Sequence, residues 1–113
     1  MNTRLTSRML IGALRRTVEA AGGHAMVMTH GDEISGAVLL VLTDRGVTRG
    51  LRERGLAPDG GYHWVEAGPA DPADPAAMAE YLERRRKFDP DIWVVEIDSP
   101  PPDDWLAEFI GQS

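Results

Sequence analysis

The stretch that decides the fold reads YLERRRKFDPDIWVVEID, from Tyr81 to Asp98. Its first half predicts the end of a helix. The Asp-Pro-Asp turn at 89–91 then breaks that helix, because proline has no amide hydrogen to donate. Residues 92–98 predict a strand, in which Trp93, Val95 and Ile97 share one face. We expect that face to pack against the first helix, while the other face carries Ile92, Val94, Glu96 and Asp98.

An amphipathic helix is predicted upstream, over residues 7–21. Leu10, Leu14 and Val18 recur at steps of four residues, which places them on one side of a helix. Thr6 or Ser7 can cap its first turn, because a hydroxyl oxygen accepts from a free amide there. The glycine pair at 22–23 ends it, since glycine enters the left-handed conformation easily.

Four strands are predicted between this helix and the next. Residues 25–30 and 36–43 are read as a β-hairpin across a short Gly31-Asp32 turn. The second of these strands is apolar throughout, as in a central strand, with Leu39 and Val41 in the core. Residues 47–54 and 62–67 follow, and together the four predict an antiparallel meander.

Two further helices complete the prediction. Asp74 can cap the first of them and Pro75 can occupy its first turn, so it runs from there to about Lys87. The prolines at 100–102 open a short final helix. Its buried stripe is Trp105, Leu106, Phe109 and Ile110.

The element order is therefore α-β-β-β-β-α-β-α. Only one helix separates two strands, which excludes a doubly wound parallel sheet. The order is typical of the α+β class: a mostly antiparallel sheet of about five strands with helices packed on one face. We expect residues 1–113 to form a single domain.

Composition narrows the function classes. The chain has 113 residues, a net charge of −6 and no cysteine, which excludes a disulfide framework and cysteine-based metal centres. The acidity argues against nucleic-acid binding, which depends on cationic contact with phosphates. No apolar run is long enough for a membrane span, and the N-terminus lacks a signal-like stretch, so we expect a cytoplasmic protein.

Motifs for catalysis or cofactor binding are missing from the sequence. The three histidines, His24, His30 and His63, show no metal-binding spacing, so we expect no metal and no cofactor. The glycine pairs match no phosphate loop, and no nucleophile signature is found. Glu96 and Asp98 share a strand face and could form a carboxylate pair, or could simply be polar surface residues.

The basic run Arg84-Arg85-Arg86-Lys87 and the acids beyond it are the best candidate for a site. It could be a solvated helix end favoured by the helix dipole. Arg85 or Arg86 could instead pair with Asp89 or Asp91. Because four basic residues exceed what two acids need, we predict ligand or partner binding by Arg84, Arg85, Asp89, Asp91 and Glu96.

Four stretches together resemble a family of short alphaproteobacterial proteins, domain of unknown function 1491. They are Ala13 to Arg16 with Gly22-Gly23, Gly31-Asp32 with Gly36-Ala37, Glu53-Arg54 with Gly60-Gly61 and Trp64, and Tyr81 to Asp98. The resemblance spans nearly the whole chain and implies a single cytoplasmic domain. It brings no activity, substrate or catalytic residue.

The sequence thus favours a non-enzymatic binding or protein-interaction module, with an unknown protein as its partner and a homodimer left open. The alternative is a small enzyme or anionic-ligand-binding protein that uses arginine and carboxylate side chains near the Asp-Pro-Asp turn. A deep pocket lined by Arg16, Arg54, Arg84 or Glu96 would favour the alternative, and a flat apolar patch or a dimer interface would favour the module.

Overall fold

The architecture was analysed in a computed structural model, which describes residues 6–56, 58, 62–101 and 105–109. It contains two α-helices, five strands and a short 3-10 helix. In chain order they are α1 (Ser7–Ala20), β1 (His24–Thr29), β2 (Val38–Asp44), β3 (Val47–Leu56), β4 (Tyr62–Ala67), α2 (Pro75–Phe88), β5 (Trp93–Asp98) and the 3-10 helix (Trp105–Phe109). This order confirms the predicted α+β class. Ile110, predicted in the last helix, lies outside the described residues.

Both α-helices begin at the predicted caps. The Thr6 hydroxyl accepts from the amide of Met9 at 3.2 Å, and the Asp74 carboxylate accepts from Ala76 at 3.0 Å. Each cap satisfies an amide that has no partner within the first turn. Gly22 follows α1 with a φ of 91°, which ends the helix at little steric cost.

The strand order is β1-β5-β2-β3-β4. β1 pairs antiparallel with β5, and β5 pairs parallel with β2, so the predicted hairpin of β1 and β2 is wrong. The last strand enters the sheet between the first two. Because β5 is apolar on both faces along much of its length, it is most stable with neighbours on both sides.

β2, β3 and β4 form the antiparallel meander that the sequence predicts, shortened by one strand. Arg45 and Gly46 connect β2 to β3 with φ values of 54° and 80°, a two-residue turn whose twist suits a hairpin. β3 is the longest strand, with ten residues. The sheet is therefore mostly antiparallel, with one parallel pair.

Helices cover both faces of the sheet, rather than one face as predicted. On the first face, α1 and the 3-10 helix pack on Trp93, Val95 and Ile97, which confirms the expected partner of that strand face. On the second face, α2 contributes Met78 and Leu82 to a smaller core. The strand residues of that core are Leu39, Val41, Leu51, Ile92 and Val94.

Candidate functional site

The β1–β2 loop, residues 30–37, packs against the Asp-Pro-Asp turn. The amide of Asp32 donates to the carbonyl of Asp91 at 3.0 Å, and the amide of Trp93 donates to Ala37 at 2.7 Å. The Trp93 indole Nε1 also donates to the Asp32 carbonyl at 2.7 Å. These bonds join two connections that are some sixty residues apart in sequence, so one end of the sheet forms a single fixed structure.

Glycine allows this close approach at two positions. A Cβ on Gly31 or on Gly36 would overlap the Asp91 carbonyl oxygen. Any other residue would push the loop away from the turn and weaken the bonds between them. The Gly31-Asp32 and Gly36-Ala37 stretches that carried the family resemblance are thus explained by backbone contact.

The Asp32 carboxylate holds the tip of the loop. It accepts from the amides of Ile34 at 3.1 Å and Ser35 at 2.9 Å, and from the Ser35 hydroxyl at 3.2 Å. The two backbone hydrogen bonds, Ser35 first, lower the pKa of Asp32 because they favour the ionised form. The turn leaves the Ile34 side chain 72% exposed.

The start of α1 is tied to the same loop. The Ser7 amide donates to the Ile34 carbonyl at 3.1 Å, and the buried Ser7 hydroxyl donates to the Gly36 carbonyl at 2.5 Å. The Arg8 amide donates to the Glu33 carbonyl at 3.0 Å. These hydrogen bonds therefore fix the position of the first turn of α1 relative to the tip of the loop.

A groove of about 590 Å³ opens between that turn and the loop tip, and we call it the α1 groove. Apolar walls come from Met9, which is 53% exposed, and from Ile34. Among the described residues, those that line it are Thr6, Arg8, Met9, Gly12, Ala13, Arg16, Glu33 and Ile34.

The predicted basic run is engaged within the protein. Both terminal nitrogens of Arg85 donate to the Glu53 carboxylate on β3, at 2.8 and 2.5 Å, and one also donates to the Tyr81 hydroxyl at 3.0 Å. This bidentate pair raises the pKa of Arg85, with the Glu53 hydrogen bond as the main cause. Arg86 donates to the Thr29 hydroxyl at 2.8 Å.

The pairing expected for these arginines is therefore corrected, since Arg85 and Arg86 reach the sheet and not Asp89 or Asp91. A helix side chain points back toward the helix N-terminus, away from residues that follow the helix. Arg84, one residue earlier, is exposed and pairs with Glu80 at 2.9 Å along the helix.

The two acids of the turn have different surroundings. The Asp89 carboxylate accepts from the Asp91 amide at 3.1 Å, and the Asp89 carbonyl accepts from the Ile92 amide at 3.2 Å. Asp89 thus shapes the turn, while the side chain of Asp91 is exposed.

Glu96 lies away from this end. It sits half-buried on the α2 face of β5, where the Thr43 hydroxyl is 3.5 Å from its carboxylate and 3.3 Å from the Ile97 carbonyl. It lies three residues along β5 from Trp93, a distance of about 10 Å. The structure therefore brings Arg85 and Asp89 to one end of α2 and leaves Glu96 further along the sheet.

The histidines are spread over the fold. The His30 ring contacts the Trp93 ring at a tilt of 46°, with centroids 4.1 Å apart, while His24 begins β1 and His63 lies in β4. Within the described ranges, no three histidine, aspartate or glutamate side chains are grouped so that they could hold a metal ion. Nor does the described part of the chain contain a helix long and apolar enough to cross a membrane.

The α1 groove was missed from sequence, although it left weak signals. Met9 lies beside the buried stripe of α1, and Ile34 is a lone large apolar residue in a polar loop. Phe88, which does not line the groove, is a second lone apolar residue: it follows the basic run and is 87% exposed at the end of α2. Isolated apolar residues of this kind stand out only when the loop and helix are seen together.

Comparison with protein families shows a match to the profile of DUF1491, a protein family of unknown function, over residues 5–107. The chain belongs to the DUF1491 family. This confirms the resemblance that its sequence motifs indicated. No curated protein matches the chain.

Solved structures of relatives share the fold of this DUF1491 protein. A crystal structure of a family member from Caulobacter crescentus is 34% identical, with a TM-score of 0.74 over 84% of this chain and 88% of that chain. An NMR structure of a Caulobacter crescentus member is 32% identical, with a TM-score of 0.72 over 91% of this chain and 100% of that chain. The solution structure of Atu0922 from A. tumefaciens is 32% identical, with a TM-score of 0.65 over 88% and 90% of the two chains.

Proposed function

We propose that this DUF1491 protein is a non-enzymatic protein-interaction module, and that it meets its partner at the end of the sheet formed by the 30–37 loop and the Asp-Pro-Asp turn. The observation that carries this proposal is the exposure of Ile34 and Phe88 at that end, 72% and 87% respectively. Contiguous exposed apolar patches are typical of surfaces that a partner covers, and our proposal places both side chains in one such patch.

The base beneath these side chains is rigid, which supports the same proposal. The bonds from Asp32 and Trp93 join the loop to the turn, and the Arg85–Glu53 pair fixes the last turn of α2 on the sheet. Anchors that are already ordered lose little conformational entropy when a partner binds. Arg85 and Asp89 serve in this proposal as positioning residues, and the exposed Arg84 and Asp91 as polar rim. Glu96 lies outside the surface.

A small anionic ligand is the second candidate. Arg16 lines the α1 groove and forms no ion pair with any residue that the structure describes. An unpaired guanidinium beside apolar walls suits a carboxylate on an apolar chain.

The experiment that tests the module is capture of partners by the tagged protein in its own host, with wild type compared to variants. We expect Ile34→Ser and Phe88→Ser to lose the captured protein while keeping the thermal midpoint. Val47→Thr is the matched control, because Val47 is also exposed but lies beside the β2–β3 turn, at the opposite end of β2 from the 30–37 loop. Capture that survives Ile34→Ser and Phe88→Ser together would exclude this surface.

A further inference from the structure

We propose that the α1 groove binds one acidic amphipathic helix of a partner protein. This inference rests on the proposed interaction function and names the chemistry of the partner. It is carried by three features of the groove: a glycine floor, two arginines at helical spacing, and apolar walls on either side.

The floor of the groove is Gly12, in the middle of α1. Glycine disfavours a helix relative to alanine, so a glycine here needs a reason. Of the residues that the structure describes, a Cβ at this position would meet only the Arg16 Nη1, at 3.4 Å. The packing of the described residues does not require glycine, whereas a helix backbone approaching from outside would.

The charges of the groove select acidic side chains. Arg8 and Arg16 are eight residues apart on α1, about 12 Å, which matches carboxylates two turns apart on a helix lying alongside. The Arg8 Nη1 lies 3.9 Å from the Glu33 Oε2, and both side chains are more than half exposed, so this ion pair is weak. With Glu33 included, the lining residues keep a net positive charge.

The walls favour a helix over an extended strand. The described residues that line the groove belong to α1, its cap Thr6 and the 30–37 loop, so they offer no strand edge to which a peptide could add. Met9 and Ile34 lie exposed at its sides and can cover the apolar stripe of an amphipathic helix. Side chains of such a stripe fit the space above Gly12 and Ala13, as ridges fit grooves.

Two matched pools of helical peptides test this directly. Both carry the same leucine stripe, flanked by glutamate in one pool and by lysine in the other. We expect the purified full chain to bind the glutamate pool at least about tenfold more tightly in fluorescence anisotropy, and to lose that preference as salt rises.

Variants locate the binding. Gly12→Leu should fill the groove and Arg16→Glu should reverse its charge, and each should reduce binding of the glutamate pool about tenfold or more. Arg45→Glu is the matched control, since Arg45 is an exposed arginine in the β2–β3 turn, at the opposite end of β2 from the groove. Arg16→Glu alters only the surface, so it remains informative even if Gly12→Leu fails to fold.

Several outcomes would overturn the inference. The first is equal binding of the two peptide pools, and the second is binding of the glutamate pool that survives both Gly12→Leu and Arg16→Glu. The third is binding of dodecanoate when neither peptide pool binds. The fourth is a dimer, detected by sedimentation, that Gly12→Leu dissociates. If partner capture depends on Ile34 while neither pool binds, the interaction function stands and the acidic helix is wrong.

Discussion

Gly36 shows how one residue holds the loop to the turn. Its neighbour across the contact is the Asp91 carbonyl, with which any Cβ would overlap. We expect Gly36→Ala to lower the free energy of unfolding by about 1–3 kcal/mol, because the loop must shift away. Urea denaturation measures this. Gly55→Ala is the control, since no atom of a described residue lies within 4 Å of a Cβ there, and an equal loss in both variants would contradict the prediction.

Asp32 makes the stability of the loop depend on pH. Its pKa is lowered in the folded state, so the stability that its charge contributes is present above the unfolded value and is lost as pH falls through the folded one. Asp32→Asn keeps an acceptor but removes the charge. We therefore expect its stability to fall less steeply than wild type below about pH 4. Parallel pH profiles from urea titrations would show that this carboxylate has no such role.

At the scale of elements, the Arg85–Glu53 pair joins α2 to β3. Its side chains are only 23% and 26% exposed, and the contact is bidentate. A double-mutant cycle with Arg85→Met and Glu53→Gln should give a coupling energy of about 1–2 kcal/mol, above that of a surface pair.

The Arg84–Glu80 pair provides the comparison. It lies on the exposed side of α2, with side chains 57% and 72% exposed, and joins residues four apart. Its coupling should be about 0.3–0.5 kcal/mol. Equal couplings for the two pairs, from chemical denaturation of all single and double variants, would mean that Arg85 does not anchor the helix.

Over the whole molecule, Trp93 links the core to the candidate surface. Its ring packs in the α1-side core, its Nε1 donates to the Asp32 carbonyl, and the tilted ring of His30 contacts it. Trp93→Ala should cost about 3–5 kcal/mol, a large share of the stability of a domain this size. A thermal midpoint close to that of wild type would contradict this placement.

The sequence by itself determined the local structure. The helix caps at Thr6 and Asp74 need only their nearest neighbours, and the alternation of Trp93, Val95 and Ile97 follows from strand geometry. These features depend on interactions within a few residues, which a pattern in the chain records directly. The family resemblance likewise came from short stretches, four of them together, of which Tyr81 to Asp98 is the most specific.

Only the tertiary structure decided which elements meet. β5 lies between β1 and β2 in the sheet, so the two strands of the predicted hairpin do not pair with each other. Arg85 pairs with Glu53, thirty-two residues away in sequence, and not with Asp89 or Asp91. The α1 groove arises because Met9 and Ile34, from a helix and a loop, meet at one end of the sheet. Such contacts form because entire faces of the sheet and helices must be buried against each other. That requirement applies to the assembled sheet, so no short stretch of sequence specifies it.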